Sequence, residues 1–207
     1  MIRAAVALLA ALAVAWLAAS AQGKPGASER DAILLVAAPE LVDPNFRETV
    51  VLVTRYRGIA GPIGVILNRP SRVPLARAMP DEPALSGIDE KVWLGGPVAR
   101  QALFYVFRAS KPAGDAIEVA EGVYLDWDGE RLKALLARDK PTEGLRIYAG
   151  HAAWAPGQLE SEVARGSWKS ARPEERIIFS TRPETVWGEL ERRSRATPAR
   201  LDLAPGD

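Results

Sequence analysis

The chain has 207 residues, 27 basic against 26 acidic, a formal net charge of +1, one histidine and no cysteine. So even a charge balance argues against a nucleic-acid binder, which needs a surplus of Lys and Arg to meet phosphates, and the lack of cysteine removes disulfides, thiol catalysis and thiolate metal sites. With 48% hydrophobic and 26% charged residues, the composition is that of one ordinary globular domain rather than a disordered or fibrous chain.

The first residues stand apart. Met1-Ile2-Arg3 precedes an uncharged run rich in Ala, Leu and Val over residues 4–21, ending in the small-x-small triplet Ala19-Ser20-Ala21. This is the pattern of a secretory signal and predicts cleavage after Ala21. The run is also near the lower limit for spanning a bilayer, about 17 residues, so an uncleaved anchor is the alternative. Either form predicts an exported, periplasmic or secreted domain that meets a membrane only through a retained signal segment. Residues 22–30, with Lys24, Pro25 and Gly26, form a polar tether too poor in apolar residues to pack.

Residues 32–37 form a continuous apolar run of strand length, which predicts a strand covered on both faces. Asp43-Pro44-Asn45-Phe46 is a turn signature with an Asx acceptor at its start and a fixed φ at its second position. The β-branched stretch 49–55 predicts the second strand and residues 63–67 the third, joined by a Gly-punctuated loop. Asn68-Arg69-Pro70 closes this pair, since Pro70 offers a sheet no donor.

Residues 70–87 read as a loop with one short helical turn around 75–79, followed by strands at 91–94, 103–107 and 123–125. Asp128 caps a helix running to Arg138 with Leu132, Leu135 and Leu136 on one face. Residues 145–149 form a strand that delivers Gly150 and His151 at its end, and a helix starting at Pro156 carries Leu159 and Val163 inward. Residues 176–180 read as the last strand, and Thr181-x-x-Glu184 as a capping box for a helix bearing Val186, Trp187 and Leu190. After Arg193 the tail is Pro-rich and charged, and is expected to be disordered.

Four blocks carry a resemblance: P-x-L-x-D-P-N-F-x-x-T-V-V from Pro39, G-x-I-x-N-R-P from Gly64, L-G-G-P-V from Leu94, and A-P-G-Q-L-E from Ala155. In this order they resemble the AlgH-like, or YqgE-like, family over residues 31–193. The resemblance implies an α+β fold, a single domain built on a strongly bent, barrel-like mixed sheet with surrounding helices. It implies little chemistry, because the family is largely uncharacterised. Two departures are visible. Family members generally lack a signal peptide, and Gly150-His151-Ala152-Ala153-Trp154 stands where the family usually reads G-Y-A-G-W.

The candidate ligand-binding residues are Asp43, Asn45, Arg47, Asn68, Arg69, His151 and Gln158. All but His151 lie in the four blocks, at strand ends or helix starts, and their amide and guanidinium donors suit a carboxylate or phosphate oxygen. Alternatively they satisfy loop backbone around the barrel mouth. His151 is the only side chain that titrates near neutrality unaided, yet it occupies an aromatic position. Arg55, Arg57, Arg69, Arg72 and Arg77 form a run without an acidic residue between Glu48 and Asp81, either a solvated face or an anion site. No cofactor motif is present. A metal site is not expected, since one imidazole with Asp43, Glu48 and Glu160 lacks any H-x-x-x-H spacing. There is also no G-x-S-x-G elbow.

The sequence therefore predicts a non-catalytic binding or regulatory module in the cell envelope, with a small anionic ligand or an envelope protein as partner. The alternative is a hydrolase or transferase acting on a phosphorylated or acidic small substrate through Asp43, Arg69 and His151.

Overall fold

The structure, a computed structural model, describes residues 32–55, 61–111 and 114–196. The expected signal segment and tether, residues 197–207 of the expected tail, and Arg57 of the arginine run lie outside the described residues. The described residues form ten strands and five helices: β1 Ile33–Ala37, β2 Val50–Thr54, β3 Ile63–Ile66, β4 Pro70–Pro74, α1 Leu75–Ala78, β5 Lys91–Leu94, β6 Val98–Arg108, β7 Ile117–Ala120, β8 Val123–Asp126, α2 Gly129–Leu136, β9 Leu145–Ala153, α3 Gln158–Ala164, β10 Trp168–Ala171, α4 Glu175–Ile178 and α5 Pro183–Ala196.

The strands join in one sheet of order β10-β1-β2-β3-β9-β6-β8-β7, with β4 and β5 branching off beside β9. Every pairing is antiparallel except β5 with β9, where Trp93 opposes Tyr148. The sheet curls into a half-barrel, and the domain is the mixed α+β fold that the sequence predicts. None of the helices among the described residues is long and apolar enough to cross a membrane.

The curl explains why β1 and β2 lack polar alternation. Leu34, Val36, Val50 and Leu52 face an inner core shared by both ends of the sheet and closed by Ile177 and Ile178 of α4 and Val186 and Leu190 of α5. The alternate residues Leu35, Ala37, Val51 and Val53 face an outer core with Trp154, Leu159 and Trp168. A second outer core packs α2, through Leu132 and Leu136, on Tyr105, Phe107 and Ile147. Both faces of a strand are thus withdrawn from water, and each fully buried Leu or Val contributes about 1.5–3 kcal/mol.

Arg146 enters this frame without a carboxylate. Its guanidinium lies 4.0 Å from the Trp93 ring and donates to the carbonyl oxygens of Ile178 (2.7 Å) and Ser180 (3.0 Å), fastening α4 to β9. Burial lowers its pKa from the ordinary arginine value.

Several elements differ from the sequence expectation. Residues 176–180 are not a strand: Ile177 and Ile178 both donate to the Glu174 carbonyl (2.9 and 3.0 Å), winding a short helix that turns both isoleucines into the inner core. The last strand is β10, which pairs with β1. Pro70 does not end the strand region but opens β4, an outlying strand paired only with β5, where a missing N–H costs nothing. α2 begins where expected, with the Asp128 carboxylate accepting from the Arg131 amide at 2.8 Å. α5 starts at Pro183 and runs to Ala196, beyond the expected limit at Arg193, and Ser180 Oγ rather than Thr181 accepts from the Arg182 amide.

Candidate functional site

The Asp43-Pro44-Asn45-Phe46 turn is tied by its own polar atoms. The Asn45 amide donates to Asp43 Oδ1 at 2.7 Å, and the Phe46 and Arg47 amides donate to the Asp43 carbonyl at 2.9 and 2.7 Å. The chain then passes through Glu48 in the left-handed region, φ 55°, before entering β2. Two side chains from the end of β3 clamp this turn. Asn68 accepts from the Val50 amide and donates to the Glu48 carbonyl, both at 2.9 Å. Arg69 donates from Nη1 to the Pro44 carbonyl (3.1 Å) and from Nη2 to the Arg47 carbonyl (3.0 Å). Asp43, Asn45, Arg47, Asn68 and Arg69 are therefore one spatial cluster. Most of its hydrogen-bonding capacity holds backbone in place.

Gln158 and His151 are not part of it. Gln158 accepts from the Ala155 amide (3.0 Å) and donates to Glu162 (2.8 Å), whose other oxygen receives the indole N–H groups of Trp154 (3.0 Å) and Trp168 (2.8 Å). Phe46 completes that aromatic group, with ring centroids 6.2 Å from Trp154 and 5.6 Å from Trp168. His151 lies inside β9 rather than at its end, because the strand passes through the left-handed Gly150 (φ 72°) and continues to Ala153. Its ring packs on Phe104 at a tilt of 36° with centroids 4.7 Å apart, and Nδ1 is buried without a partner among the described residues. Burial lowers its pKa from the ordinary 6.5. The imidazole is used as an aromatic packing group.

The arginine run is likewise divided. Arg55 pairs with Glu160, Arg69 holds the turn, and Arg72 is exposed on β4.

The Gly95-Gly96 pair has a packing reason. A Cβ on Gly95 would stand 2.2 Å from the Gly150 carbonyl oxygen, and one on Gly96 2.2 Å from the His151 backbone. Only bare backbone can pass this close to β9.

Between the clamped turn and this glycine strip lies a cleft of about 140 Å³, lined by Asn45, Arg69, Ile66, Leu94, Pro97 and Arg100. Arg100 was not recognisable in the sequence. It belongs to no block, and only the register of β6 on β9 brings it here. It is exposed and makes no hydrogen bond or ion pair with a described residue. Its neighbour Ala99 has φ 45°, and with Glu48 it is one of the two non-glycine residues of positive φ among the described residues; both adjoin the cleft in sequence without lining it. Burial, then the nearby Arg47 cation, lowers the Arg69 pKa, while Asp43 and Glu48 oppose the shift. The guanidinium remains charged.

A wider, more open recess of about 470 Å³ lies on the other flank of the turn, beside Glu40, Val42, Asp43 and Arg165. Its charged lining is mixed, with Arg165 bonded to Ser161. Among the described residues no group of three or more His, Asp or Glu is placed to hold a metal.

Known proteins share this architecture. The family model described as AlgH-like matches residues 34–199. A UPF0301 protein of Streptomyces coelicolor is 38% identical over 185 residues, covering 84% of this chain and 91% of its own, and one of Chlorobaculum tepidum is 33% identical over 156 residues, covering 74% and 81%. Among solved structures, the AlgH protein of Pseudomonas aeruginosa superposes with a TM-score of 0.66 at 25% identity, covering 90% of this chain and 98% of its own. Protein DIP2367 of Corynebacterium diphtheriae gives 0.63 at 26% identity, covering 80% and 87%. Motif blocks, half-barrel and relatives agree, and the chain belongs to the AlgH-like, UPF0301, family.

Proposed function

We propose that this AlgH-like domain is a non-catalytic binding or regulatory module whose ligand presents an anionic group to the cleft between Asn45, Arg69 and Arg100. One observation carries the reading: Arg100 lines the cleft beside Arg69 with its guanidinium unpaired among the described residues, while the fork of Arg69 is already fixed on two carbonyls. A fixed cation next to an unpaired one is a preorganised anion receptor. The residues that a hydrolase or transferase would draw on are otherwise engaged. Asp43 accepts within its turn, Asn68 and Gln158 bind backbone, and His151 packs on Phe104.

The test is amide chemical-shift perturbation of the ¹⁵N-labelled domain with acetate, butanoate, phosphate and sulfate. Saturable shifts are expected at Asn45, Gly96 and Arg100, and their loss in Arg100→Gln with the remaining spectrum intact. Shifts at none of these amides with any of the four anions would overturn the reading.

We also take residues 1–21 as a secretory signal that delivers the module to the cell envelope, on the strength of the basic start, the apolar run and Ala19-Ser20-Ala21. N-terminal sequencing of the protein from fractionated cells is expected to begin at Gln22. Intact Met1 in the soluble cytoplasmic fraction refutes this part.

A further inference from the structure

We infer that the ligand of the cleft is a monoanionic short-chain carboxylate, held by its head on the arginines with its hydrocarbon against Leu94 and Pro97. This rests on the anion-binding reading above and narrows it by charge, size and wall chemistry.

Charge is the first discriminator. Arg69 and Arg100 are the charged residues of the lining, and the turn behind Arg69 adds Arg47, Asp43 and Glu48, all of which act on it. The surplus is one positive charge. A monoanion neutralises it, whereas a phosphate monoester dianion leaves excess negative charge in a partly desolvated recess, which is costly. Size is the second. A volume of about 140 Å³ is small beside the other recess of about 470 Å³. This holds a carboxyl group and a few carbons but not a nucleotide. The third is the wall. Leu94 is 48% exposed, one of few large apolar side chains so open, while Ile66 behind it is 2% exposed. Leu94, with Pro97 beside it, gives one side of the cleft a hydrocarbon surface, over the buried Ile66. The planar fork of Arg100 matches the two oxygens of a carboxylate.

Isothermal titration of the domain with acetate, butanoate, hexanoate and inorganic phosphate tests the inference. Affinity is expected to rise about fourfold per buried methylene from acetate to butanoate, and to level off toward hexanoate as the chain outgrows the cleft. Phosphate is expected to bind more weakly than butanoate. Leu94→Ser is expected to flatten the dependence on chain length, a change that a merely structural role for this exposed residue does not produce. Tighter binding of phosphate than of butanoate, or equal affinity for acetate and butanoate, overturns the carboxylate assignment. If that binding still depends on Arg100, the anion-binding reading stands. Binding of none of the four overturns both.

Discussion

Asn68 is the side chain through which the end of β3 determines the shape of the turn that forms one wall of the cleft, and its removal has a calculable cost. In Asn68→Ala two partners are lost. The Val50 amide belongs to a residue that is 0% exposed, so its N–H cannot recruit bulk water and carries a penalty of about 1–3 kcal/mol. The Glu48 carbonyl is at the exposed edge of the turn and can be rehydrated, adding a few tenths of a kcal/mol at most. The sum is about 2 kcal/mol, or about 4–8 °C in Tm for a domain of this size. Asn68→Asp separates the two bonds, because it keeps an acceptor for Val50 while replacing the donor to Glu48 by a carboxylate oxygen, from which the exposed Glu48 carbonyl can turn to water. It is expected to cost less than half as much at neutral pH. Urea unfolding followed by far-UV circular dichroism measures both variants, with the m-value expected to be unchanged. A loss below about 0.5 kcal/mol for Asn68→Ala, or equal losses for the two variants, would refute the reasoning that the Val50 bond dominates.

Three other perturbations read different parts of the structure. Glu162→Ala strips two indole N–H groups of their shared acceptor and is expected to cost about 3 kcal/mol with a red-shifted tryptophan emission, whereas Glu162→Gln, which keeps an acceptor oxygen, costs about 1 kcal/mol or less. Gly96→Ala drives a methyl group to 2.2 Å from the His151 backbone; it is expected to lower stability by about 3 kcal/mol or more, seen as loss of soluble folded protein, and an unchanged Tm contradicts the close approach. His151 has a pKa held below 6.5 by burial, so unfolding takes up a proton. Its contribution is complete above pH of about 6.5 and declines as pH falls through that value toward the lowered folded one. His151→Phe, which preserves the ring packing on Phe104, is expected to reduce the slope of Tm against pH between about pH 7 and 5, and an identical slope in both proteins refutes the assignment.

The parts of the fold that sequence made legible are those where local and tertiary preferences agree. Runs such as Leu34-Leu35-Val36 and Val50-Val51-Leu52 are apolar at every position because the half-barrel buries both faces. The Asp43 turn and the Asp128 cap form through their own side chains. Where tertiary demand overrode local preference the reading failed. Ile177-Ile178-Phe179 has the β-branched character of a strand, yet the inner core needs both isoleucines and a helical turn supplies them. β10 is one buried tryptophan followed by half-exposed residues and has no pattern to find. The candidate site divides similarly. The blocks named Asn45 and Arg69, since turn chemistry singles them out. Arg100 sits in an exposed, unpatterned stretch of β6, and only the irregular register between Val98 and Leu103 aims it at the cleft. Gln158 carried a motif signal that proved to belong to the Glu162 and tryptophan cluster.

β9 also sets a schedule for assembly. β3, β5 and β6, made of residues 63–66, 91–94 and 98–108, all pair with residues 145–153, and β1 waits for β10. Until that late strand is available, three earlier ones present unpaired hydrogen-bonding edges, and its insertion is a long-range, entropically slow event. A nascent chain arrested before residue 145 therefore holds an open sheet that nothing upstream can close. Three strands of such a chain lack a partner until nearly the last third of the sequence arrives.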